Sequence, residues 1–402
     1  MMPCHGVFGM PTKTDSLRYD IKELMKAGAF NEIVDRCHVE LTLARREKRG
    51  SVEVTALLGL AEAQTSLGHF GFARDYVDQS LDRAREIRSV SQTVDALILR
   101  ARIAREGFFQ TTEAFEDYRS AVDLAFEAGD MRRYAQSLLG LGEIAANPSD
   151  SNKQAWRVID IAREISDGQL EARAILLLSN AFIRQKEFKK ASDGLLVALR
   201  KAQATNDRLL EGVIIGQQGL MLAQESETFQ RGIEQQLTAL EVARGLEAIF
   251  HEFMRLYSLA MTMLAADDFD EARNYFDQML ALSQDLGHKP YEMYTLGMLG
   301  QWHELRGQPD IAIAYFGRAA DAARDVGNPA YEARYLYALG TVYQSQWDFE
   351  EARRQYVLAR SIYRSLDDGR NATRVSASLF YSYLLAFASR IMKLMGFQSK
   401  GK

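Results

Sequence analysis

Six histidines and two cysteines are the residues of this chain best suited to hold a metal or move a proton, and their spacing suits them to neither. His5, His38, His69, His251, His288 and His303 never fall four residues apart, so no helix can present the two imidazoles of a His-Glu-x-x-His zinc face. Cys4-His5 and Cys37-His38 are two Cys-His pairs of the donor types zinc prefers. Structural zinc ligands come from two short loops with wider spacing, so both pairs read as unligated. Neither a phosphate-cradling Gly-x-x-x-x-Gly-Lys-Ser/Thr nor a Gly-x-Ser-x-Gly nucleophile elbow occurs. The paired carboxylates Asp267-Asp268 and Asp367-Asp368 stand between helical stretches, where acids serve the next helix N-terminus before they serve catalysis. Basic residues are spread among acids, with no basic run interleaved with aromatics, so nucleic acid is not an expected partner. The expectation is a non-enzymatic chain without metal or cofactor, whose function is recognition.

The elements that would position recognising residues are legible as a repeat. The chain has 402 residues, 47% hydrophobic and 26% charged, with a net charge of -5. That is the composition of a foldable chain, and only 6 prolines favour long uninterrupted helices. Two cysteines cannot build a disulfide framework, which fits a reducing compartment. No run reaches the length of a membrane span and the start lacks the pattern of a secretory signal, so the chain reads as cytoplasmic.

A small or aliphatic residue opens a helix at Ala73, Ala114, Ala155, Ala191, Ile233, Ala272, Ala312 and Ala352, at spacings of 41, 41, 36, 42, 39, 40 and 40. A glycine or Asn-Asp turn closes the same helix at Gly129, Gly168, Asn206, Gly245, Gly287, Gly327 and Gly369. Two markers sharing one period define units of two amphipathic helices each. In each unit a small residue (Gly142, Ala260, Gly300, Gly340) lets the helices approach, and an aromatic (Tyr118, Phe276, Phe316, Tyr356) fills the space between pairs. Residues 211–250 depart from the pattern, with Gln224 and Ile233 in atypical places, and predict an altered helix pair. Gly216 and Gly219 read as close-packing positions.

Leu339-Gly340-x-x-Tyr343, Phe349-Glu-Glu-Ala352 and Tyr356-x-x-Ala359 resemble the tetratricopeptide repeat, as do Leu299-Gly300, Phe269-Asp-Glu-Ala272 and Gly68-His-Phe with Ala73. The period, near 40 rather than ~34, is similar to the longer-helix branch: kinesin light chains, polarity scaffolds, and MalT-type and peptide-sensing sensor arrays. No helix-turn-helix flanks the array, so a self-contained transcription regulator is not expected. The resemblance implies an all-α, right-handed solenoid of about nine helix pairs over 16–370. A mobile tail over 1–15 and an apolar C-terminal helix with a basic end over 371–402 flank it. His303 takes the place of an aromatic and is expected to be a hydrogen-bonded packing residue.

The same resemblance places a concave groove on the first helix of each pair, lined by Glu62, Arg102, Arg105, Arg173, Asn180, Arg184, Tyr257, Met261, Tyr294, Gln301, Arg334, Tyr337 and Gln344. Such grooves bind peptides or helices. An arginine-rich first half and a Tyr/Met/Gln-rich second half suit a protein partner with an acidic segment. The carboxylate clamp of chaperone-binding repeats is not assembled, since Leu177 stands where a polar residue is needed beside Asn180. The last helix has its own pattern. Val375, Leu379, Tyr383, Phe387, Ile391 and Met395 step by four, with Ser378, Ser382, Ser389 and Lys393 opposite, and are expected to cap the array. After Asp368 six basic residues, Arg390, Lys393, Lys400 and Lys402 among them, meet no acid. A membrane-recruited sensor or adaptor is therefore the alternative to a scaffold, and a second copy could equally cover an open end.

Overall fold

Helices of one length and turns of one kind account for the period. The structure is a computed structural model that describes residues 13–394, with side chains to 389. Cys4, His5, Lys400, Lys402 and the first twelve residues of the expected tail therefore lie outside the described residues, as do the side chains of Arg390 and Lys393.

Nineteen α-helices follow one another there without a strand: α1 (Lys13–Ala27), α2 (Phe30–Arg46), α3 (Gly50–Ser66), α4 (Phe70–Glu86), α5 (Val90–Phe108), α6 (Thr111–Glu127), α7 (Met131–Ile144), α8 (Pro148–Glu164), α9 (Gly168–Arg184) and α10 (Phe188–Ala204). Then come α11 (Arg208–Leu222), α12 (Phe229–Gly245), α13 (Ile249–Ala265), α14 (Phe269–Asp285), α15 (Lys289–Leu305), α16 (Pro309–Asp325), α17 (Pro329–Ser345), α18 (Phe349–Ser365) and α19 (Gly369–Leu394). Consecutive helices pack on one another from α1 to α12 and from α14 to the terminal α19. Fourteen helices are 17 residues long and most turns take three, so a pair with its turns spans 40. The first helix opens at Lys13 rather than at 16, because Leu17 and Ile21 already belong to a buried face.

The turns depend on one left-handed residue followed by a cap. Asp267 (φ 59) and Asp367 (φ 56) take the left-handed conformation that ends a helix. Their neighbours Asp268 and Asp368 accept the backbone N–H of Glu271 and Asn371 at 3.1 and 3.0 Å and open the next one. Gly129, Asn206, Gly287 and Gly327 are left-handed as expected, but Gly168, Gly245 and Gly369 are not; Ser166, Glu247 and Asp367 hold that place. A left-handed non-glycine costs roughly 1–2 kcal/mol, small enough for the cap and the packed pairs to offset.

All eight spacing markers, Ala73 to Ala352, are buried. The glycine–aromatic pairing is tight: a β-carbon at Gly300 would lie 2.8 Å from the Phe316 ring, and one at Gly340 2.5 Å from Tyr356. In α7 the glycine facing Tyr118 is Gly140, at 2.2 Å, while Gly142 meets Leu177 of α9. The expected irregular pair is α11–α12. With no aromatic between them the two helices close to backbone contact, a β-carbon at Gly219 falling 2.6 Å from the Gly232 carbonyl oxygen.

The chain divides into two compact units between Thr262 and Met263, within α13. In unit 1 the turns of the first two pairs abut the α12–α13 turn: Gly28 faces Leu246, Gly68 faces Ile249, and Asn31 Nδ2 donates to Glu247 at 3.5 Å. Unit 2 ends on α19, which packs against α18, but not with the expected stripe. Ala372, Val375, Leu379 and Ser382 are buried, whereas Phe380, Tyr383, Leu384 and Phe387 are exposed. Steps of four drift about 40° each round a helix of 3.6 residues per turn, so a constant i+4 row winds off the contact. The buried row alternates three and four.

Candidate functional site

In unit 1, arginines from three helices come near one histidine, His251. Arg102 and Arg105 project from α5, Arg173 from α9 and Arg255 from α13. All four lie close enough to His251 to oppose its protonation; burial first, then Arg255, Arg173, Arg102 and Arg105, push that imidazole down to about 3. Helices whose residues are far apart in sequence thus bring their cations near one imidazole.

The four cations are not equally free. Arg102 sits 3.6 Å from Glu62, and Arg105 pairs with Glu106 at 2.6 Å and with Glu143. Arg173 is exposed, and no carboxylate pairs with it among the described residues. Arg255 is 7% exposed, its Nη1 has no hydrogen-bond partner, and again no described carboxylate pairs with it. Burial pushes that guanidinium down to about 10. It lines a cavity of about 10 Å³ with His251, Gly212, Val213, Ala239 and Val242.

Two other expected groove residues of α9 serve differently. Arg184 donates to Ala145 O at 3.1 Å and to Ser151 Oγ at 2.6 Å, tying down the α7–α8 turn. Asn180 is half-buried with an unbonded Oδ1. Tyr257 and Met261 of α13 are half-buried as well.

On unit 2 the first helix of each pair carries aromatic and amide groups. Tyr294 meets Tyr331 edge-on at 6.1 Å, and Arg334 lies over Tyr331 at 5.6 Å. The Tyr337 hydroxyl is 3.2 Å from Ser378 Oγ of α19, and Arg374 of α19 lies over its ring at 4.8 Å. Gln301 is exposed, and Gln344 is half-buried with Oε1 unbonded.

The residues singled out for reactive chemistry are packing groups. His303 Nε2 accepts from Arg273 at 3.0 Å, which leaves the proton on Nδ1 to be donated to Gln308 at 2.7 Å, and the ring stacks on Tyr315. Cys37 is buried, and burial first, then Glu62, pushes its thiol up to about 12, so it is no nucleophile at neutral pH. No group of three or more His, Cys, Asp or Glu among the described residues could hold a metal ion. No described helix is long and apolar enough to cross a membrane.

Residues 252–325 and 291–365 match the profile of the tetratricopeptide repeat. This part of the chain consists of tetratricopeptide repeats. Among solved structures, the tetratricopeptide-like fold is shared with the apo form of the quorum sensor NprR from B. thuringiensis, at 14% identity and a TM-score of 0.52, covering 85% of this chain and 99% of that one. A Rap protein complexed with competence and sporulation factor aligns at 12% identity and a TM-score of 0.49, covering 94% and 99%. A STAND protein with a tetratricopeptide repeat sensor from Pyrococcus horikoshii aligns at 12% identity and 0.47, covering 80% of this chain and 54% of that one. No curated protein matches in sequence.

Arg255 was not among the groove residues expected from the sequence. A signal for it existed: forty-residue steps from it reach Thr295 and Tyr335, both buried packing positions, so a cation there is out of character.

Proposed function

We propose that this tetratricopeptide-repeat protein is an interaction adaptor that holds a peptide or helix of a protein partner, and that the segment it holds is acidic. The observation that carries the reading is the convergence of Arg102, Arg105, Arg173 and Arg255 around His251 from α5, α9 and α13. A face with two cations left unpaired favours carboxylates, and charge-assisted bonds to arginine are among the stronger polar contacts. The Tyr294, Gln301, Arg334, Tyr337 and Gln344 face of unit 2 is a second contact surface suited to aromatic and amide groups. The test is capture of partners by full-length protein and by the triple variant Arg102→Gln, Arg105→Gln, Arg173→Gln, with helicity followed by circular dichroism. The reading expects loss of a partner carrying an acidic segment; an unchanged partner set at unchanged helicity overturns it.

A second reading, recruitment to an anionic membrane through the C-terminal helix, is favoured by the exposed Phe380, Tyr381, Tyr383, Leu384 and Phe387 of α19. The excess of basic residues beyond Asp368 matches anionic lipid. Co-sedimentation with phosphatidylserine vesicles that is lost on deleting 371–402, and weakened by salt, would support it. Full-length protein left in the supernatant would exclude it.

A further inference from the structure

The buried slot that Arg255 occupies is filled elsewhere by neutral residues. Thr295 and Tyr335 stand forty and eighty residues on, both buried. Tyr335 lies over Gly297 of the preceding first helix, where a β-carbon would meet its ring at 2.2 Å. Arg255 lies over Gly216 in the same way, a β-carbon there falling 2.2 Å from Nη1. The glycine therefore clears room for a guanidinium where packing alone would ask for an apolar or aromatic group. A buried cation without a carboxylate is costly in a folded protein unless something pairs with it. The charges that act on His251 are further arginines, and the carboxylates of the cluster, Glu62, Glu106 and Glu143, pair with Arg102 and Arg105 rather than with Arg255. Beside Arg255 lies the cavity of about 10 Å³, room for one water-sized group, lined also by His251, whose protonation the exposed Arg173 is close enough to oppose.

Resting on the proposed interaction face, and deepening it, we propose that Arg255 is the anchor of an oxyanion site completed by Arg173. There one carboxylate or phosphate oxygen of the bound segment receives the unpaired Nη1 hydrogen. The rest of the oxyanion is held from the exposed side by Arg173. Arg102 and Arg105, already engaged with Glu62, Glu106 and Glu143, contribute field rather than direct bonds.

The experiment is thermal unfolding of the full-length protein in sodium chloride, acetate and phosphate at equal ionic strength and pH 7.5, for wild type, Arg255→Met and Arg173→Gln. Wild type should gain about 2 °C in acetate, phosphate or both relative to chloride, and which anion acts tells carboxylate from phosphate chemistry. Arg255→Met should lose that gain entirely. Arg173→Gln, an exposed position that leaves the fold intact, should reduce it at least twofold and decides the matter if Arg255→Met does not fold. Equal anion responses in wild type and the variants, or none in wild type, overturn the site. If partner capture still depends on Arg102, Arg105 and Arg173 in that event, the oxyanion site alone has failed and the interaction reading stands.

Discussion

Arg255 of α13 rests on Gly216 of α11, with Cζ 3.0 Å and Nη1 2.2 Å from where a β-carbon would be. One residue supplies a cation to the interior of unit 1 and the other supplies the space that admits it. The same relation holds between Tyr335 and Gly297, so unit 1 has adapted a general packing device to carry charge.

Replacing Arg255 by methionine keeps much of the volume and removes an uncompensated buried charge. Stability should rise, or at least not fall, by on the order of 1 kcal/mol, measured by urea unfolding at pH 7.5. A loss of 3 kcal/mol or more would show that Arg255 is part of the scaffold.

Gly340 and Gly317 both lie inside helices, yet alanine should act in opposite directions. At Gly340 the new methyl meets the buried Tyr356 ring at 2.5 Å, and overpacking should cost about 1–3 kcal/mol. At Gly317 nothing lies within 4 Å, so alanine should stabilise by roughly 0.5–1 kcal/mol through helix propensity. Denaturant midpoints of the two variants check the pair together.

Acid should unfold the protein from below about pH 6.5. Burial, with the four arginines, holds His251 down to about 3, and burial holds His288 down to about 4. An unfolded histidine titrates near 6.5. As pH falls through that value the unfolded state binds protons the folded state refuses, and stability drops until the folded pKa values are reached. Asp368, whose carboxyl is held below its usual range by the Asn371 backbone N–H, adds a further loss at lower pH. Melting temperature should be level from pH 7 to 8 and decline below 6.5, with a shallower slope in His288→Phe. A melting temperature that climbs between pH 6.5 and 5 would contradict these assignments.

Capping gives a local test. Asp368→Ala removes the acceptor of the Asn371 N–H at 3.0 Å and should cost about 1 kcal/mol. Hydrogen exchange should localise the effect to the first turn of α19.

The repeat was legible because its markers are packing positions: a residue such as Ala312 must be small to sit between helices, and it recurs wherever the pair recurs. The irregular α11–α12 pair was legible for the converse reason, the aromatic being missing. Turn glycines were less reliable, since Asp367 can take the left-handed place two residues before Gly369. The face of α19 was misjudged because Tyr383 and Phe387 are apolar enough for a core yet lie beyond the drift of the contact row, while Ser382 is small enough to be buried. The repeat resemblance puts Arg102, Arg105 and Arg173 along one groove, and all three lie close enough to His251 to oppose its protonation. That Arg184 braces a turn, and that Arg255 joins the cluster, depends on contacts between neighbouring pairs, which the spacing does not encode.

The most direct measurement is binding of full-length protein to a peptide array in which each acidic peptide has an isosteric partner with Asp and Glu changed to Asn and Gln. The account predicts that bound peptides are acidic, that their amide partners do not bind, and that the Arg102→Gln, Arg105→Gln, Arg173→Gln variant binds neither while its circular dichroism is unchanged. Equal binding of acidic and amide peptides, or equal binding by wild type and variant, would contradict it.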